Sequence, residues 1–332
     1  MKIVEENKGP LFITGSWRAG TTLISRIMKN HSEVDVTYDS VHFMRFSYNQ
    51  YNPISDGKNV RTLILNTKDR LEKRYNLGFS VEDVLDDLSG TITYASVYDA
   101  IMTNFLLKKS DKKVWGEKTN LAWSKIPDFL QMFPHGRVIH IIRDPRAVLA
   151  SWKNFTHAPG NDYLDSIVNC YDSMQKALEY KKLYTNKRYT YVTYEELVKD
   201  PHGTTENICK NLDLEFYEMM LDTDGFTDNY GEQWRANSVY QSQLSGISLD
   251  VIDKWKSKLE DWEIVLSDII TESVMVRFQY RADDVFKREN YIDTALKEVQ
   301  KSTLTSEGMV RFLFSGKGFE RYPSDPLDET TW

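Results

Sequence analysis

Residues 15–22, which read GSWRAGTT, constrain the fold of this 332-residue chain more than any other segment. They follow a short apolar run, Leu11 to Ile13. Their last two residues begin a stretch, 21–30, whose apolar side chains have helical spacing. A glycine-bounded loop between a strand and a helix is a site for anions, because backbone N–H groups and the helix dipole both point at it. The segment therefore predicts an α/β fold that binds an anionic group at the end of its first strand.

The spacing of Gly15 and Gly20 equals that of the nucleotide-binding P-loop, G-x-x-x-x-G-K-[ST], but the chemistry differs. Thr21 occupies the place of the P-loop lysine, and the cation lies inside the loop as Arg18. An arginine can offer two parallel hydrogen bonds to phosphate or sulfate oxygens. A P-loop kinase acting on ATP and a catalytically silent nucleotide-binding protein remain alternatives at this point.

Further strands and helices alternate along the chain. This alternation indicates a central, mainly parallel sheet flanked by helices. The polar, tyrosine-rich residues 41–111 interrupt it and predict an inserted helical cap for the substrate. We expect one domain over residues 1–280, with a C-terminal extension, 281–332, packed on the same domain. The further strands are predicted at 113–115, 138–142 and 189–194, and helices at 81–88, 165–183 and 202–212.

Basic side chains follow two of these predicted strands. Lys118 comes shortly after the second strand, and Arg143 comes directly after the third. Ser151 lies eight residues beyond Arg143, which is about two turns of a helix. Ligands of parallel sheets bind at the carboxyl ends of the strands. The sequence therefore predicts one anion site surrounded by Arg18, Lys118 and Arg143.

Together these segments resemble the sulfotransferases that use 3′-phosphoadenosine 5′-phosphosulfate (PAPS), in particular the tyrosylprotein, carbohydrate and bacterial branch. The family patterns R-[SA]-G-T-T and R-D-P-R-A-x-x-x-S are met by residues 18–22 and 143–151. The pattern G-E-K-T-P is met by residues 116–120, with Asn120 in place of the proline, and Y-E-D-L is met by YEEL at 194–197. A weaker match is NSV at 237–239. The resemblance covers about residues 10 to 280.

The resemblance implies a P-loop-kinase-like fold that transfers a sulfuryl group from PAPS without a metal ion. It implies that Arg143 and Ser151 bind the 3′-phosphate and that Tyr194 lies near the adenine. Ser238 and Lys254 are implied as further contacts of PAPS. The residues implied to bind the 5′-phosphosulfate are Ser16, Trp17, Arg18, Ala19, Gly20, Thr21 and Thr22.

The resemblance also implies the catalytic groups. Arg18 and Lys118 would stabilise charge on the leaving phosphate, with Ser238 as a further donor. The acceptor must lose a proton, which calls for a general base. Asp39 lies 21 residues after Arg18, the offset of the catalytic glutamate in the tyrosylprotein branch. His42 is the alternative, because an unperturbed histidine titrates near neutral pH; a base elsewhere, or a reactive amine that needs little help, stays open.

The composition of the chain limits which kinds of partner and which cellular compartment we expect. The net charge of −7 gives no basic excess, which argues against a nucleic-acid binder. The two cysteines, Cys170 and Cys209, fit a reducing compartment. No segment has the length and apolar character of a signal peptide or a membrane span, which predicts a cytoplasmic enzyme without a membrane partner. These features favour a small-molecule or natural-product acceptor that is sulfated at a hydroxyl or an amine.

Overall fold

The computed structural model describes residues 9–153, 161–233, 249–282, 288–318 and 325–328. Within these ranges a five-stranded sheet has the order β2-β3-β1-β4-β5, and every neighbouring pair of strands is parallel. The predicted α/β fold with a mainly parallel sheet is confirmed. The strands are β1 (Leu11–Gly15), β2 (Val34–Tyr38), β3 (Val114–Lys118), β4 (Arg137–Ile142) and β5 (Tyr189–Thr193).

Helices cover both faces of this sheet, which is why β4 is apolar nearly throughout. Phe12 and Val138 are buried on one face, and Ile13 and Ile139 are buried on the other. None of the helices in the described ranges combines the length and the apolar character that a membrane-crossing helix needs. The helices are α1 (Thr21–Lys29), α2 (Phe43–Phe46), α3 (Gly57–Tyr75), α4 (Val81–Asp87), α5 (Tyr94–Phe105), α6 (Ile126–Met132), α7 (Pro145–Lys153), α8 (Asp165–Leu183), α9 (Tyr194–Lys199), α10 (Pro201–Asn211), α11 (Asp261–Met275), α12 (Arg288–Gln300) and α13 (Thr303–Ser315).

Two strands at one edge of the sheet differ from the prediction. The sequence pattern does not predict β2, because this strand is short and carries a charged residue, Asp35, between two valines. The predicted end of β3 at Trp115 is wrong, since the strand continues to Lys118. It continues because it pairs with β1 on one side and with β2 on the other. Lys118 therefore lies inside the sheet, with its side chain buried.

The insertion between β2 and β3 is helical, as predicted. It contains α2 to α5, and the side chains of Asp56 and Thr93 cap the first turns of α3 and α5. Its apolar residues join the core on the Phe12 face of the sheet. The hydroxyl of Tyr75, the last residue of α3, donates to the backbone carbonyl of Asp39. The cap therefore reaches the carboxyl end of β2.

The C-terminal helices lie against the main body of the protein. Helix α12 packs on α11, and α13 packs on α8, where the rings of Tyr171 and Phe312 have centroids 5.0 Å apart. The short segment 325–328 contacts the cap, because Arg70 donates two hydrogen bonds to the carboxylate of Asp325, at 2.7 and 2.6 Å. We propose that residues 281–332 form an extension of a single domain whose main body is residues 1–280.

Candidate active site

The loop after β1 is folded tightly against the start of α9. Arg18 and Gly20 have positive φ angles, 66° and 100°, and the amide of Ala19 donates to the carbonyl of Ser16 at 3.1 Å. Strand β5 ends one residue before its predicted end, so Tyr194 is the first residue of α9. A Cβ atom at position 20 would overlap the ring of Tyr194. Only glycine fits where the loop and this ring meet.

Gly20→Ala should therefore lower the free energy of unfolding by about 2 kcal/mol, since the new methyl group meets Tyr194 and the positive φ disfavours alanine. Thermal unfolding measures this effect as a lower Tm. The matched control is Gly57→Ala at the start of α3, where a Cβ atom would have no neighbour within 4 Å. Equal Tm values for the two variants would contradict the close packing of the loop.

Three segments that are distant in sequence meet beside this loop. Nε of Arg18 donates to Oγ of Ser151 at 2.9 Å, and Nη1 of Arg143 donates to the carbonyl of Arg18 at 2.9 Å. The guanidinium group of Arg143 also lies over the ring of Tyr194, 4.2 Å from its centroid. The structure thus brings together four of the predicted contacts of PAPS.

The groups in this cluster suit a ligand that has phosphate groups and an aromatic base. Nε of Arg143 is buried and has no hydrogen-bond partner among the described residues, so it can donate to a bound anion. The rings of Trp17 and Trp152 stack with centroids 5.8 Å apart and planes 19° apart. Thr22 is partly exposed in the first turn of α1, where helix N–H groups attract anions.

A second cluster lies at the carboxyl ends of β2 and β3. The ammonium group of Lys118 donates to the carboxylate of Asp39 in a direct ion pair. The backbone amide of Asp39 donates to the carbonyl of Lys118 at 2.9 Å, so the two residues are joined twice. The side chain of Lys118 is 2% exposed and that of Asp39 is 24% exposed, so Asp39 is the more accessible member of the pair.

The ion pair keeps Asp39 in its ionised form. Burial by itself raises the pKa of the Asp39 carboxyl, but Lys118, with help from Arg45, outweighs burial and lowers the pKa below its usual value. Burial lowers the pKa of the Lys118 ammonium group, and Asp39 offsets part of that effect. At neutral pH the pair therefore presents a carboxylate that can accept a proton and a cation beside it.

His42 lies next to this pair and is buried. Its backbone N–H donates to the carboxylate of Glu117, and its ring packs edge-on against Phe46, with centroids 5.8 Å apart. Burial, and then the nearby charge of Arg45, lower the pKa of His42 well below its usual value. Burial therefore shifts the pKa of His42 away from the neutral range of an unperturbed histidine, so its ring is uncharged at neutral pH. His42 stays a candidate for the base.

Glu117 holds the chain segment that carries both candidate bases. Its carboxylate is fully buried and accepts hydrogen bonds from the hydroxyl of Tyr98 and from the backbone N–H of His42. Burial raises the pKa of Glu117 to about 7, and these hydrogen bonds limit the rise. Glu117 and Lys118, adjacent in β3, thus hold the turn after β2 at His42 and at Asp39.

One side chain connects the two clusters. Oγ1 of Thr21 donates to Oδ1 of Asn120 at 2.7 Å, and Nδ2 of Asn120 donates to both carboxylate oxygens of Asp39, at 3.1 and 3.2 Å. The loop after β1 and the carboxylate after β2 are therefore linked through a single amide group.

A profile of the sulfotransferase family matches residues 10–218, which is more than half of the chain. The chain belongs to the sulfotransferase family. The omega-hydroxy-beta-dihydromenaquinone-9 sulfotransferases of Mycobacterium bovis and Mycobacterium tuberculosis are 32% identical to it in an alignment of 108 residues that covers 29% of this chain. The match spans 28% of the length of those relatives.

Solved sulfotransferase structures share the fold. The sulfotransferase domain of the Synechococcus PCC 7002 olefin synthase has a TM-score of 0.55 and 21% sequence identity, covering 83% of this chain and 97% of that domain. The sulfotransferase domain from the curacin biosynthetic pathway has a TM-score of 0.55 and 18% identity, covering 82% of this chain and 98% of that domain. These similarities support the fold assignment of the sulfotransferase.

Two of the residues predicted to contact PAPS, Ser238 and Lys254, are not among the residues of these two clusters. Ser238 lies outside the described residues, within 234–248. Lys254 begins a short 3-10 helix, Lys254–Ser257. The segment before this helix approaches the site through Val251, whose carbonyl accepts from Nη2 of Arg143 at 3.4 Å. The roles of Ser238 and Lys254 stay predictions.

Several residues that lie at the candidate site have no role predicted from the sequence. Glu117 and Asn120 were visible only as polar neighbours of Lys118 in one motif, and their partners come from other strands and helices. Trp152 follows Ser151 directly, and its pairing with Trp17 could have been suspected from two tryptophans that flank the predicted anion site. A polar residue at the end of a buried strand is the general signal in the first two cases.

Proposed function

We propose that this protein transfers a sulfuryl group from PAPS to a hydroxyl or an amine of a small-molecule or natural-product acceptor and releases adenosine 3′,5′-bisphosphate. The observation that carries the proposal is the convergence of Arg18, Ser151 and Arg143 beside a helix N-terminal loop, with the Lys118–Asp39 ion pair linked to the same loop. A family member with cations at one cluster and a carboxylate at the other has the parts that sulfuryl transfer needs.

The first cluster would bind the donor. Arg143 and Ser151 would hold the 3′-phosphate, and Tyr194, which stacks on Arg143, would lie near the adenine. The loop residues 16–22 would hold the 5′-phosphosulfate, and Ser238 and Lys254 would add contacts. PAPS supplies the sulfuryl group when bound. Sulfate esters carry less charge than phosphate groups, so arginine and lysine side chains can stabilise the leaving group.

The second cluster would act on the acceptor. The carboxylate of Asp39 would take the proton from the acceptor hydroxyl or amine, and Lys118 and Arg18 would stabilise the charge that develops on the leaving phosphate. The lowered pKa of Asp39 keeps it ionised at neutral pH, which is the form that can accept a proton. His42, neutral and buried, is the second candidate for the base.

The class of acceptor is supported by chemistry and by a relative. The mycobacterial relative is named for an omega-hydroxy-dihydromenaquinone, and its match to this chain favours an alcohol on a small molecule here as well. The cap between β2 and β3 reaches Asp39 through Tyr75, so residues of the cap would form part of the acceptor site. We propose that the partner of this protein is this small-molecule acceptor and not a nucleic acid.

A ligand screen by thermal shift tests the donor class. Adenosine 3′,5′-bisphosphate at a concentration about 100 times its Kd should stabilise the protein by about 2.7 kcal/mol, which raises Tm by several degrees, whereas ATP should have little effect. Turnover of PAPS should persist in EDTA, because side-chain cations would stabilise the leaving group. A larger shift with ATP, or a strict need for a divalent ion, would instead support a P-loop kinase.

A further inference from the structure

Asn120 occupies a position where the family pattern has proline, and it is almost fully buried. Its side chain is part of a residue that is 2% exposed, at the end of β3, two residues beyond Lys118. Proline has no polar side-chain atom and no backbone N–H, so it could make none of the side-chain contacts seen here. An asparagine at this place needs an explanation, because burying an amide is unfavourable unless its hydrogen bonds are made.

The partners of Asn120 determine which way its amide group faces. An ionised carboxylate only accepts hydrogen bonds, so Nδ2 must face Asp39, where it lies 3.1 and 3.2 Å from the two oxygens. Oδ1 then faces Thr21, whose hydroxyl donates to it at 2.7 Å. Both ends of the amide are satisfied by residues that lie in different parts of the site.

The backbone around Asn120 is also held. Nη2 of Arg45 donates to the carbonyl of Asn120 at 2.5 Å. The next amide, that of Leu121, donates to the carbonyl of Gly15 at 2.9 Å, and Leu121 has a positive φ angle of 54°. The backbone at Asn120 is thus held to the loop after β1 and to the cap, and its amide group cannot turn without losing its hydrogen bonds to Thr21 and Asp39.

We propose that Asn120 is a positioning residue that orients the Asp39 carboxylate and links it to Thr21 in the donor-side loop. The proposal rests on the proposed function, in which Asp39 accepts the proton. Thr21 has one hydroxyl hydrogen, and this hydrogen is donated to Asn120. A phosphate oxygen that drew this hydrogen away would leave Oδ1 of Asn120 without its donor. Occupation of the loop and orientation of Asp39 are therefore linked through one amide group.

The effect on Asp39 can be separated from the other charges around it. Among the described residues, the charged or titratable groups near this carboxyl include Lys118, Arg45, the uncharged ring of His42 and the hydroxyl of Tyr75, and Asn120 adds two hydrogen bonds to the ionised form. A hydrogen bond to the ionised form lowers a carboxyl pKa, and a second carboxylate beside it raises the pKa. Removal of Asn120 should therefore raise the pKa of Asp39, and an aspartate at 120 should raise it further.

The experiment compares Asn120→Ala and Asn120→Asp with Asn104→Ala. Asn104 is also buried and donates to an aspartate, Asp87, at 2.8 Å, but it lies in α5, away from the site. NMR of protein labelled with ¹³C at aspartate carboxyls gives the pKa of Asp39, which Asp39→Asn assigns. We expect a rise of about one pH unit in Asn120→Ala, a larger rise in Asn120→Asp, and none in Asn104→Ala.

Calorimetry with adenosine 3′,5′-bisphosphate and turnover of PAPS with benzyl alcohol, which keeps its proton at neutral pH, as the probe acceptor complete the test. The affinity of Asn120→Ala should stay within about threefold of the parent, because among the described residues the side chain of Asn120 is hydrogen-bonded to the loop only through the Thr21 hydroxyl, while kcat falls by about tenfold. If Asn120→Ala does not fold, Thr21→Val gives the second variant, since it removes the hydroxyl that holds Oδ1 and should raise the same pKa. An unchanged Asp39 pKa in the folded variants would overturn the proposal. Failure of the parent protein to prefer adenosine 3′,5′-bisphosphate would overturn the proposed function instead, and the NMR result would still stand.

Discussion

Asp39→Asn should lower kcat by a factor of about 10³, because asparagine has nearly the same shape as aspartate but cannot accept the proton of the acceptor. The affinity for adenosine 3′,5′-bisphosphate should change little, since Arg143 and Ser151 lie in the other cluster. Turnover of PAPS with benzyl alcohol as the probe acceptor, which keeps its proton at neutral pH, measures the first effect, and calorimetry measures the second. Because Lys118 loses its ionic partner in this variant, the Tm should be recorded as well.

His42→Ala is the control for this prediction. It should cost much less in kcat, because His42 is only 2% exposed and its ring packs against Phe46, whereas the side chain of Asp39 is 24% exposed. The reverse pattern, with a large loss in His42→Ala and a small one in Asp39→Asn, would assign the base to His42. Near-normal turnover in both variants would remove this segment from the mechanism.

The dependence of turnover on pH is a further test, because the directions of the pKa shifts predict where activity is lost. Turnover is lost as pH falls through the pKa of the base, and the pKa values of Asp39 and His42 are both lowered, so neither group produces a loss near neutral pH. Burial raises the pKa of Glu117 to about 7, and protonation removes the negative charge that holds the backbone of His42. A loss of activity near pH 7 that disappears in Glu117→Gln would therefore identify Glu117.

Arg143→Ala should weaken binding of adenosine 3′,5′-bisphosphate by about 2 kcal/mol, roughly 30-fold, because a charge-assisted contact with the 3′-phosphate is lost. The affinity for 5′-AMP should fall much less, since this nucleotide lacks the 3′-phosphate. Nε of Arg143 is buried without a partner among the described residues, so a bound phosphate would satisfy it. Calorimetry with the two nucleotides measures the difference.

The control for this prediction is Arg61→Ala. Arg61 forms an exposed ion pair with Glu82 on the cap, so its loss should leave both affinities unchanged. Equal affinity of the parent protein for adenosine 3′,5′-bisphosphate and 5′-AMP would remove Arg143 and Ser151 from the 3′-phosphate site. If Arg143→Ala lowered the affinity for both nucleotides by the same factor, Arg143 would instead lie near the 5′ end of the ligand.

The sequence by itself determined the parts of this sulfotransferase whose signals are local. The apolar run before Gly15, the spacing of the two glycines and the helical pattern from Thr21 onward lie within about 20 residues, and the structure has β1, the loop and α1 there. Arg143 was placed at a strand end for the same reason, since a continuous apolar strand precedes it directly. The spacing of apolar residues within a single helix or strand is enough to predict such an element.

Only the tertiary structure decided how these parts act on one another. Strand β2 was not visible in the sequence, yet its register places Tyr38 opposite Lys118, so that the next residue, Asp39, comes beside the lysine. Thr21 and Asn120 are 99 residues apart in the sequence. They meet because they follow β1 and β3, which are paired in parallel. Register between parallel strands depends on packing against the rest of the core rather than on any local pattern. The contacts that orient the carboxylate therefore exist only once the sheet is assembled.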